Sequence, residues 1–153
     1  MKKIMKRLSS LVMAGLLVFC LVPAASATVA DVNQQAYTVE NLGNGITKKT
    51  TIIVKTSLSR ATHTKEVTSY NEFELRGVVI GNVDLTVTFK YDGNRSWVDG
   101  TSYSKSLASG WTYTNHNIQT FGGSARLTAN LKKSPYTVPV DISVKCSPSG
   151  DIS

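Results

Sequence analysis

From Val83 to Tyr91 the chain alternates without a break. Val83, Leu85, Val87, Phe89 and Tyr91 interleave with Asp84, Thr86, Thr88 and Lys90. Alternation with a period of two predicts a strand with one face buried and the other wet. The pattern recurs from Tyr136 to Lys145, where Val138, Val140, Ile142 and Val144 alternate with Pro139, Asp141, Ser143 and Lys145. Pro139 has no N–H to give to a ladder, which predicts an edge or a bulge there. Looser alternation predicts further strands. Over 46–57, Ile46, Ile52 and Val54 share a parity. Over 65–75, Val67, Ser69, Asn71 and Phe73 share a face. Another strand covers 96–103, interrupted at Asp99-Gly100. Over 110–118, Trp111, Tyr113 and Asn115 share a face. Over 125–132, Leu127, Ala129 and Leu131 do. Val78 to Ile80 read as a short apolar patch ahead of Gly81-Asn82.

Turn chemistry punctuates these runs at 41–45, at Asp92-Gly93-Asn94 and at Gly122-Gly123, where glycine and asparagine accept the positive φ of tight turns. Residues 28–38 carry no clean period and read as a lead-in, either mobile or a short helix. About six to eight turn-separated strands with no helical period predict an all-β domain, an antiparallel sandwich or barrel. Unequal strand lengths and apolar faces suited to two packed sheets favour an immunoglobulin-like sandwich. The expected organisation is a leader over 1–27, a lead-in over 28–45 and one sandwich domain over 46–153.

The leader is read from a different pattern. Lys2, Lys3, Lys6 and Arg7 precede an apolar run from Leu11 to Val22, and Ala25-Ser26-Ala27 supplies small residues at a cleavage site. This is the layout of a secretory signal peptide, so the mature chain is expected to start at Thr28 outside the cell. The apolar run is too short for a membrane span. Phe19 before Cys20 departs from the small residue that lipid attachment requires.

Cleavage changes the charge. Four of the 17 basic residues leave with the leader, so 13 face 10 acidic ones. An excess of three serves solubility and is no nucleic-acid footprint. It also removes Cys20 and leaves Cys146 alone, which excludes an internal disulfide. Cys146 then reads as a small buried hydrophobe in a monomer, with a Cys146-linked dimer as the alternative. His63 and His116 match no metal spacing, and no G-x-S-x-G elbow or phosphate loop is present. Glu72 and Glu74 share one face as solvated neighbours. The chain therefore reads as non-catalytic, with no metal and no cofactor.

The remaining signal is aromatic. Trp97, Tyr103, Trp111 and Tyr113 fall in a polar stretch from Ser96 to Asn117. Flat rings beside Asn, Ser and Thr suit sugar faces and protein surfaces alike, although Trp residues also serve as core plugs. These four are the candidate ligand-binding residues. The expected role is a secreted binding module for polysaccharide, cell wall or an extracellular protein. A bacteriocin-like or toxin-like effector is the alternative, and a hydrolase is a weaker one.

Four segments carry a family resemblance: 40–45 (Glu-Asn-Leu-Gly-Asn-Gly), 88–94 (Thr-Phe-Lys-Tyr-Asp-Gly-Asn), Gly110-Trp111, and 145–150 (Lys-Cys-Ser-Pro-Ser-Gly). In these the chain resembles a group of small secreted proteins of Gram-positive Firmicutes. The resemblance spans most of the mature chain and implies a secreted β-sandwich without assigning an activity. Members of the group often carry a second cysteine after the Tyr-x-Gly turn, about where Val98 stands in this chain.

Overall fold

A computed structural model describes residues 31–57 and 62–153. The expected leader and Cys20 lie outside the described residues. Among the described residues all regular elements are strands: β1 (Asp31–Gly43), β2 (Ile46–Ser57), β3 (His63–Leu75), β4 (Val78–Tyr91), β5 (Ser96–Leu107), β6 (Thr112–Phe121), β7 (Ser124–Lys133) and β8 (Tyr136–Lys145). They form two antiparallel sheets, one in the order β1-β2-β3-β4-β5 and one in the order β6-β7-β8. β7 packs across β4 and β5, and β8 across β3. Each sheet is a plain meander. The likeness to an immunoglobulin domain thus lies in the two packed layers and does not extend to Greek-key connections.

The alternating faces meet in the middle. Val67 and Phe73 of β3, Val83, Leu85, Val87 and Phe89 of β4, Leu127 and Leu131 of β7, and Val138 and Val144 of β8 are all fully buried. Ser69 and Asn71 share that inner face and are buried too. The Asn71 amide donates to Ser69 O at 3.0 Å and Ser69 Oγ at 3.1 Å, and its oxygen accepts from Thr50 Oγ1 at 2.8 Å. A buried amide with both ends paired escapes the desolvation penalty of an orphaned one. Pro139 lies on β8, which pairs only with β7 and so is an edge strand.

Two segments differ from the sequence reading. The stretch expected as a lead-in forms β1, which runs the length of β2 from Asp31↔Thr56 to Gly43↔Ile46. Register shifts at Gln34/Ala36 and Asn41/Gly43 break its alternation, which hid the strand from a period search. Residues 78–80, read as a patch apart from the strand at 83–91, are continuous with it in β4, so Gly81-Asn82 lies in the interior of that strand. A Cβ on Gly81 would stand 2.8 Å from Leu107 Cδ2 and 3.1 Å from Ser106 O. The glycine is there for the close approach of β5.

Candidate functional site

The aromatic candidates separate in space, and one extra residue is the cause. In β5 the register with β4 runs Lys90↔Trp97, Phe89↔Val98 and then Thr88↔Gly100, leaving Asp99 as a bulge. Trp97 and Tyr103 are six positions apart and would share a face in a regular strand. The bulge sends them to opposite faces. Trp97 goes to the outer face beside Lys90, under the Arg95 guanidinium at 5.1 Å. Tyr103 goes to the inner face, level with Leu85.

Tyr103 and Tyr113 come together where the sheets open between β5 and β6. Their rings stack with centroids 5.9 Å apart, and His116 closes the group at 5.2 Å from Tyr103 and 5.8 Å from Tyr113. A second bulge builds this contact. Thr114↔Asn130 is followed by Asn117↔Thr128, so Asn115 and His116 together oppose Ala129, and Asn115 takes φ 55°. The Lys105 ammonium lies 4.4 Å from the Tyr113 ring centre, a favourable approach to the negative ring face. The Tyr113 hydroxyl is buried without a hydrogen-bond partner among the described residues. Burial first, and the neighbouring Tyr103 second, push its pKa up to about 12. The sequence reading missed His116 as part of this cluster. Its one local signal is Asn115, a residue type that tolerates positive φ.

Trp111 lies elsewhere. Its N–H donates to Ala108 O at 3.1 Å in the turn between the sheets, and its ring packs partly buried against the core. Trp97 and Trp111 are therefore separate from the tyrosine cluster and from each other.

A further aromatic and polar surface was not anticipated. On the outer face of the five-stranded sheet, cross-strand pairing places Tyr37, Thr51, Tyr70, Asp84 and Ser104 in one row. Tyr37 is 59% exposed and Tyr70 is 44% exposed. They are two strands apart, about 9.6 Å at the usual interstrand spacing. The next row carries Lys49, Glu72 and Asn82. The Lys49 ammonium bonds Glu72 Oε1 at 3.2 Å and Glu74 Oε1 at 2.5 Å, and Ser104 Oγ donates to Asp84 Oδ2 at 2.9 Å. Together the two rows line a shallow open depression of about 620 Å³. Strand alternation could have flagged Tyr70 as outward, since Ser69 and Asn71 face in. Tyr37 was hidden with β1.

Cys146 follows β8 and is 5% exposed. Its Sγ lies 3.4 Å from Ser147 O, and burial pushes the thiol pKa up. Its N–H donates to Gly123 O at 2.8 Å, while Val98 N–H donates to Gly122 O at 3.0 Å. Positions 98 and 146 thus hang from consecutive residues of one turn. Around them the C-terminal loop closes the end of the sandwich, with Gly93 N–H donating to Pro148 O at 3.1 Å and Lys65 Nζ donating to Gly150 O. Among the described residues no group of three or more His, Cys, Asp or Glu is placed to hold a metal, and no helix is long and apolar enough to cross a membrane. Comparison with protein-family models, curated proteins and solved structures finds no match to this chain.

Proposed function

We propose that the protein is a secreted, non-catalytic binding module that takes an extended polysaccharide across the outer face of its five-stranded sheet. One observation carries this reading: Tyr37 and Tyr70 are exposed in a single cross-strand row. Two rings held about 9.6 Å apart by the strand spacing suit the apolar faces of alternate sugars in an extended chain. Thr51 lies between them and Asp84 and Ser104 continue the row, offering the donors and acceptors that hydroxyl-rich ligands need. The depression is open and shallow, a form that suits a polymer passing over it better than a small ligand enclosed by it. The leader would deliver the module to the cell exterior, where such polymers are found.

The test is retention of the secreted chain on insoluble polysaccharides and purified cell walls, at low salt and at 1 M salt. Ring stacking should survive 1 M salt, where charge contacts are screened beyond about 3 Å. Tyr37→Ala and Tyr70→Ala should each lower retention at least five-fold while the melting temperature stays near that of the parent. Retention lost in salt would reduce the interaction to attraction between a basic protein and an anionic polymer. No retention on any polymer would overturn the reading.

A further inference from the structure

One end of the sandwich has a chemical character that the sugar-binding reading does not use. The antiparallel meanders bring four connections to this end, at 43–45, 75–78, 107–111 and 132–136. None of the four contains Asp or Glu, and together they carry Arg76, Lys132 and Lys133. Between them lies an open slot of about 360 Å³ lined by Leu75, Val78, Ile80, Trp111 and Tyr136, with Arg76 and Lys133 at its rim. Val78 is 67% exposed, so apolar surface continues from the slot to the tip. The Lys133 ammonium is held by Ser109 O at 3.1 Å. Among the described residues neither Arg76 nor Lys133 has an acidic partner.

Arg76 is also at odds with its own backbone. Leu75 pairs with Val78, so Arg76-Gly77 is a two-residue hairpin loop, with φ 52° and 79°. Positive φ at both positions is the geometry that favours Asn-Gly. An arginine there works against local preference, and its N–H is tied to Gly45 O at 2.6 Å. Strain of this kind is characteristic of residues kept for what the side chain reaches.

We propose that this slot binds an anionic group attached to a short apolar chain, with the chain against Trp111, Val78 and Ile80 and the anion between Arg76 and Lys133. An apolar wall with two cations at its rim that lack acidic partners favours an anionic amphiphile over a neutral or a cationic ligand. A free alkyl carboxylate and the anionic headgroup region of a bilayer share this chemistry.

The experiment uses the secreted chain carrying Trp97→Phe, so that Trp111 alone reports by fluorescence. It is titrated with sodium octanoate, with 1-octanol, and with vesicles of phosphatidylglycerol or of phosphatidylcholine. Octanoate should shift the Trp111 emission saturably and bind at least ten-fold tighter than octanol. Arg76→Gln should weaken octanoate at least five-fold and leave octanol unchanged. Lys133→Gln, at a position with ordinary backbone, gives the same test if the Arg76 variant fails to fold. A response to monomeric octanoate assigns a free amphiphile. A response confined to phosphatidylglycerol vesicles and lost in Lys133→Gln assigns a bilayer headgroup. Equal affinity for octanoate and octanol, or no response to octanoate or to either vesicle, overturns the proposal.

Discussion

Cys146 shows how a single residue is decided by its surroundings. If the leader is cleaved and the chain exported, as proposed, Cys146 is left as a lone cysteine in an oxidising compartment, which invites an intermolecular bridge. Here the sulfur is buried beneath the C-terminal loop, and burial disfavours the thiolate that must attack a disulfide. The chain from Thr28 onward should run as a monomer on electrophoresis with or without reductant. Its thiol should label with a water-soluble disulfide reagent at least ten-fold slower in buffer than in denaturant. A dimer that collapses with reductant would show that the loop opens. Asn71 makes the same point for a polar side chain. Its type argues for the surface, yet bonds to Thr50 and Ser69 allow it into the core.

At the scale of elements, bulges decide what alternation alone does not. β4 and β8 alternate so regularly that their buried faces can be read from sequence. β7 is nearly as plain. In β5 the extra Asp99 reverses the face of every later residue, which is why Trp97 and Tyr103 do not form one site. In β6 the pair Asn115-His116 turns the imidazole onto Tyr113. Asp99-Gly100 and Asn115 mark the two places locally, but neither fixes how many residues are left unpaired, because that cost is settled by the partner strand. Gly81 carries a prediction at this scale. Gly81→Val places a branched side chain against Leu107 and the Ser106 carbonyl. It should destabilise the fold by about 1–3 kcal/mol, the usual cost of overpacking, measured by denaturant unfolding. An unchanged midpoint would mean that β5 yields at no cost.

For the whole molecule, three carboxylates among the described residues are placed to contribute to the response to acid. Hydrogen bonds from Arg126 hold Asp141 below the usual range, those from the Arg95 and Asn94 backbone do so for Asp92, and those from Ser149 and Ser147 for Asp151. Each carboxyl takes up its proton less readily folded than unfolded, so the unfolded chain binds more protons in acid. Their contribution should be complete above about pH 4, the ordinary aspartate value, and fall as pH drops through the lower folded values. The melting temperature should therefore decline below pH 4, and Asp92→Asn should flatten part of that decline. A melting temperature level down to pH 2 would contradict the bonded geometry. Among the described residues, the sequence by itself determined the all-β class, most strand positions and the inner faces of β3, β4, β7 and β8, because burial on one side of a pleated strand is written in every second residue. Tertiary structure alone decided the membership of β1, the parting of the four aromatic candidates, the row from Tyr37 to Ser104 and the acid-free end around Trp111. Those features depend on register and on which loops come to one end, and register is set by partner strands far away in the chain.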